Sequence, residues 1–176
     1  MVGIIGAMHI EVETIKSLME NKTVETVSGV DYIRGTLHGK EIVIAVCGIG
    51  KVAAAMCTQT MILRYSPECI INTGVGGSLS TKLAIGDIAV AESLVQHDMD
   101  TSPLGDPKGL ISGINKVYFD TDSRAAEIVL AAAERLGISA EQLGMRFGML
   151  IGALFPLIAI VVYAKICHDS KKRKSE

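Results

Sequence analysis

Residues Glu68–Leu79 read Glu-Cys-Ile-Ile-Asn-Thr-Gly-Val-Gly-Gly-Ser-Leu, and the fold turns on how they are read. The apolar run Cys69-Ile70-Ile71 has the length and character of a buried β-strand, and Gly74, Gly76 and Gly77 make a glycine-rich turn at its end. Glycine there lets a ligand come close to the main chain. In open α/β sheets, ligands sit at the carboxyl ends of the strands. The same residues also suit a tight turn that holds no ligand, so this stretch alone leaves both readings open.

Two further stretches repeat the pattern. Val2–Met8, Val-Gly-Ile-Ile-Gly-Ala-Met, is an apolar strand running into a helix that carries Glu11. Glu41–Lys51 sets Ile42-Val43-Ile44-Ala45-Val46 ahead of Cys47-Gly48-Ile49-Gly50-Lys51, and the Ala-rich helical run Val52–Arg64 follows. Three apolar strands each end in glycine, and two of them open a helix. This repetition predicts one site at the strand ends, built from three turns, in an α/β fold.

The remaining elements follow from periodicity and turn residues. His9–Glu20 reads as a helix with Ile10, Ile15, Leu18 and Met19 toward the core. Thr23–Val27 and Asp31–Leu37 are β-like, with Ser28-Gly29 between them, and Ser66-Pro67 ends the second helix. Gly86–Ser93 is another strand. Gln96–Gly113 is a long loop rich in Gly, Pro and Asp, of the kind that is often functional. Asp120-Thr121-Asp122-Ser123 starts an amphipathic helix, Arg124–Leu136, which Gly137 caps.

The chain has 176 residues, enough for a real core. A net charge of −2 and a pI near 6.1 suggest no nucleic-acid partner. Cys47, Cys57, Cys69 and Cys167 show no C-x-x-C spacing and read as reduced cytosolic thiols. Val2–Met8 is too short, and too soon followed by charge, to be a secretory segment. Gly48-Ile49-Gly50-Lys51 is not a phosphate-binding P-loop, and Gly3-Ile4-Ile5-Gly6 is not a dinucleotide fingerprint. His97, Asp98 and Asp100 share one loop with no second ligand cluster, so no metal is expected.

Composition changes at Met145. Mean hydropathy is +0.39, and the excess lies in Phe147–Ala164, where 18 residues carry no charge. As a helix this run spans roughly 27 Å, close to the hydrocarbon thickness of a bilayer. Lys165 and Lys171-Lys172-Arg173-Lys174 flank it. We read residues 145–176 as an apolar, membrane-spanning helix (147–164) with a basic tail. The other reading is a fully buried strand or helix of the core.

The motifs together carry a resemblance. G-I-I-G-A-M-x-x-E from Gly3, G-I-G-K-V-A-A-A from Gly48, I-I-N-T-G-V-G-G from Ile70 and the later Gly86-Asp87-Ile88 resemble the 5′-methylthioadenosine/S-adenosylhomocysteine nucleosidases of the nucleoside phosphorylase superfamily. The likeness runs in order from Met1 to about Glu141. It implies a partial nucleosidase-like mixed sheet with flanking helices over residues 1–143, acting on an adenine nucleoside in the cytoplasm without a cofactor. It also implies that Glu11 activates the attacking water. Met8 and Ile49 would contact the substrate, Ile49 at the sugar and thioether, and Gly77 would contact base or ribose through its backbone. Thr101 and Leu104 would cover the 5′-substituent in the partner's site, which implies a homodimer.

The departures bear on activity. The family's glutamate that holds the ribose hydroxyls, and its Ser-Asp motif that protonates the leaving adenine, are absent from these 176 residues. Hydrolysis is therefore expected to be weak or absent. The alternatives are a non-catalytic, membrane-anchored remnant that keeps the fold for binding, or a chimeric or truncated reading frame.

Overall fold

The computed structural model describes residues 1–77, 81–144 and 158–163. These divide into two compact units, residues 1–75 with 160–163 and residues 76–77, 81–144 and 158–159.

The first unit is a mixed sheet with two helices. Its strands are β1 (Val2–Gly6), β2 (Glu20–Val27), β3 (Val30–Leu37), β4 (Lys40–Val46) and β5 (Cys69–Val75), and its helices are α1 (His9–Leu18) and α2 (Lys51–Tyr65). The order across the sheet is β2-β3-β4-β1-β5. β2, β3 and β4 form an antiparallel meander, while β4 and β5 flank β1 in parallel. Gly6 lies opposite Val46, and Ile5 opposite Asn72. The carboxyl ends of β1, β4 and β5 therefore lie along one edge. Ile4, Ile5 and Ile42–Ala45 are buried, as expected of parallel strands covered on both faces.

The glycines and caps explain the element ends. Gly50 precedes α2 at φ 109, which an L-side chain rarely adopts. Ser66 closes α2 in the left-handed region, ahead of Pro67. β5 continues through Gly74 to Val75, so Gly74 is a strand residue and not part of the expected turn. In α1 and its C-cap the core-facing residues are Val12, Ile15 and Met19, spaced three and four apart. Ile10 and Leu18, expected in the core, are 81% and 59% exposed. At 100° per residue Ile10 falls roughly 160° and Leu18 roughly 120° around the helix from Val12.

Tyr32 is fully buried, and its hydroxyl donates to the Cys57 carbonyl at 3.2 Å. Burial, the largest cause, pushes its pKa from 10.0 up to about 12. Below pH 10 the hydroxyl is protonated in folded and unfolded chains alike. Between pH 10 and 12 the unfolded chain ionises first, so stability falls across that window. Tyr32→Phe should lessen the fall, at a cost of about 1 kcal/mol near neutral pH for the lost hydrogen bond. Urea unfolding followed from pH 7 to 12 checks both effects.

The second unit holds β6 (Ile88–Val95), β7 (Tyr118–Asp120), α3 (Ser123–Arg135) and β8 (Ala140–Gly144). β6 pairs with β7 antiparallel and with β8 parallel, and α3 lies against β6 and β8. Asp122 caps α3 by accepting from the Ala125 N–H at 2.8 Å. The loop between β6 and β7 is tied to itself. Its Gly109 N–H donates to the Met99 carbonyl at 2.7 Å, and Lys108 pairs with Asp100 at 3.0 Å. Hydrogen bonds from Ser102 and then Lys108 hold the Asp100 carboxyl down at about 2.

β9 (Ile158–Tyr163) corrects the expectation of an apolar helix over 147–164. Ile-Ala-Ile-Val-Val-Tyr is dominated by β-branched and aromatic side chains, which favour strands, and Pro156 opposes a continuous helix just before it. No helix among the described residues is long and apolar enough to cross a membrane. The rest of that span, and the basic tail, lie outside the described residues.

Candidate active site

Glu11 is the third residue of α1, and its carboxylate lies at the junction of two of the three strand ends. One oxygen, Oε2, accepts from the Met8 N–H at 2.8 Å, a bond that caps the helix start. The other, Oε1, accepts from the Val75 N–H at 3.0 Å, 64 residues further on, at the end of β5. A helix cap explains the first bond only. The second requires β1 and β5 to be adjacent, with α1 turning back over them.

Two glycines make room for the start of α1, Gly74 for this carboxylate and Gly6 for Val12. A Cβ at Gly74 would stand 2.8 Å from Oε1, and one at Gly6 would stand 2.6 Å from the buried Val12 side chain. The third strand end is tied in by the Cys47 N–H, which donates to the Gly6 carbonyl at 2.9 Å. Burial pushes the Cys47 thiol up, and the neighbouring Cys57 thiol and Glu11 carboxylate raise it further, so it stays protonated beside the site.

Beside these strand ends runs an open groove of about 570 Å³, lined by Met8, His9, Gly29, Val30, Cys47 and Ile49 among others. The turn at Gly29 reaches this edge because β3 runs antiparallel to β4, which sets Tyr32 opposite Ala45. A carboxylate held by two N–H groups keeps lone pairs free on both oxygens and can accept a proton from a bound water. The apolar walls suit an uncharged ligand.

Of the residues singled out from sequence, Met8 and Ile49 line this groove, with Ile49 66% exposed, and Glu11 is tied to it through the Met8 N–H. Gly77 is exposed, two residues beyond Val75 in the chain. Thr101 donates its hydroxyl to Asp106 at 2.9 Å, and Leu104 ends a short 3₁₀ turn (Ser102–Leu104) with 82% exposure. Sequence reasoning missed Gly74 as the packing partner of Glu11, the Val75 N–H, and Cys47. A glycine one residue before the end of a buried strand is the signal that marks the first two. Among the described residues, no three His, Cys, Asp or Glu side chains are grouped to hold a metal ion.

Comparison with known proteins places this geometry in a family. The phosphorylase superfamily model matches residues 1–153. The chain therefore belongs to the phosphorylase superfamily, with its α/β fold of mixed sheet and helices. Within it, the chain resembles the 5′-methylthioadenosine/S-adenosylhomocysteine nucleosidases. It is 44% identical over 104 residues to the one from Shewanella sp. (strain W3-18-1), covering 59% of this chain and 45% of that protein. It is 36% identical over 141 residues to the one from Haemophilus influenzae (strain 86-028NP), covering 80% of this chain and 61% of that protein. The chain thus spans about half the length of these relatives. The nucleosidase from Neisseria meningitidis, solved with methylthio-immucillin-A, superposes with a TM-score of 0.78 at 27% identity, covering 96% of this chain and 90% of that one. The one from Colwellia psychrerythraea 34H, solved with adenine, gives 0.81 at 25% identity, covering 92% and 79%.

Proposed function

We propose that the chain binds 5′-methylthioadenosine or S-adenosylhomocysteine and carries the water-activating half of an N-glycosidase site. The observation that carries this reading is the Glu11 carboxylate, held by the Met8 and Val75 N–H groups at the ends of parallel strands. In this mechanism Glu11 takes a proton from water, whose oxygen forms the new bond to the anomeric carbon. The C–N bond breaks, adenine takes a proton from solvent water as it leaves, a thioribose remains, and Glu11 returns its proton to solvent. Met8 and Ile49 flank the 5′-thioether, and Gly77 meets the base or ribose through its backbone. Thr101 and Leu104 cover the 5′-substituent of a second copy in a homodimer. The substrates are cytoplasmic metabolites, and Cys47, Cys57 and Cys69, none of them in a disulfide, accord with that compartment.

The missing Ser-Asp and ribose-holding glutamate motifs lead us to infer slow turnover by these 176 residues. Leaving-group protonation and an oriented water are both needed for the full rate. We expect the expressed chain to bind methylthioadenosine but release adenine more slowly than about 1 s⁻¹, the lower end of common enzyme rates. Chromatographic detection of adenine, with calorimetry for binding, tests this. Turnover at tens per second would show that another group supplies the proton. Absence of nucleoside binding would overturn the reading of the site.

A further inference from the structure

The groove beside Met8 and Ile49 continues into a second hollow of about 190 Å³, and the two share His9, Gly29, Val30 and Val46. Their chemistry differs. Met8, Cys47 and Ile49 make the first part apolar, whereas Lys16 and Asp31 line the second, with His9 common to both. His9 and Lys16 lie two turns apart on one side of α1, about 10 Å along its axis. The lysine stem leans back toward the helix start, which shortens that gap. Lys16 is partly held by Glu13 at 3.5 Å, and the Thr26 hydroxyl donates to Asp31 Oδ1 at 2.6 Å, which orients that carboxylate.

We propose that this polar end, His9, Lys16 and Asp31, receives a zwitterionic aminoacyl tail on the substrate's 5′-sulfur, so that the chain prefers S-adenosylhomocysteine to 5′-methylthioadenosine. The proposal rests on the site reading given above. A methyl group on sulfur ends within the apolar part and reaches neither Lys16 nor Asp31. A homocysteine tail carries a carboxylate and an ammonium beyond two methylenes. The carboxylate meets Lys16 and the His9 imidazole, and the ammonium meets Asp31. Each exposed ion pair is worth up to roughly fivefold in affinity, so the expected preference is about tenfold.

Calorimetry on the full chain with 5′-methylthioadenosine, 5′-butylthioadenosine and S-adenosylhomocysteine separates tail length from tail charge. The charged tail should bind about tenfold more tightly than the butyl tail. In the Lys16→Met/Asp31→Asn double variant, that ratio should fall to about one, with a urea midpoint confirming the fold. Equal or tighter binding of the butyl tail by the unaltered chain overturns the proposal, as does a ratio that survives in the double variant. If none of the three nucleosides binds, the site reading itself falls, and this proposal falls with it.

Discussion

Replacing Glu11 by glutamine is expected to lower adenine release from methylthioadenosine about 10²–10⁴-fold, the usual contribution of a positioned general base. Glutamine keeps the size of the side chain but cannot take the proton from water. Its NH₂ end also faces one of the two N–H donors, Met8 or Val75, that the carboxylate satisfies in the native chain. Donor opposes donor there, so the side chain turns away from one of them. Single-turnover release with the chain in excess gives the rate, and circular dichroism confirms the fold. If Glu11 serves only to cap α1, the rate stays unchanged while stability drops by about 1 kcal/mol.

Gly74→Ala is the second large effect, and it separates chemistry from stability. The new Cβ would lie 2.8 Å from Glu11 Oε1, closer than van der Waals contact allows. What moves is the free end of a half-buried side chain, so the folding cost is about 1 kcal/mol of rotamer strain. The carboxylate nevertheless leaves the Val75 N–H, and a displacement of about 1 Å at a reacting group can cost about 10²-fold. Gly6→Ala makes the opposite case. Its Cβ would meet Val12 Cγ1 at 2.6 Å, and Val12 is fully buried. Overpacking there costs about 1–3 kcal/mol in stability. Urea midpoints and single-turnover rates for the two variants should therefore move in opposite proportions. A Gly74→Ala chain with an unaltered rate would show that the bond from Val75 to Glu11 does not position the carboxylate.

Local patterns in the chain were enough to place β1, β4 and β5, the glycines at their ends apart from Gly74, and Glu11 in the first turn of a helix. Apolar runs bounded by glycine report burial directly, because a strand covered on both faces has no polar alternation to confuse the reading. Met8 and Ile49 came from the family resemblance and follow the ends of β1 and β4 whatever the register. Three features lay beyond them. The core face of α1 is set by how the helix rolls onto the sheet, and it chose Val12 over Ile10 and Leu18. Ile158–Tyr163 is a strand although it sits in an uncharged run, 147–164, long enough for an apolar helix. The bond from Val75 to Glu11 joins groups 64 positions apart. It exists because β5 pairs in parallel with β1, with Ile5 opposite Asn72, and only that register sets the Val75 N–H against the start of α1. Patterns along a chain record which side chains avoid water, whereas strand pairing and helix roll decide which of them meet.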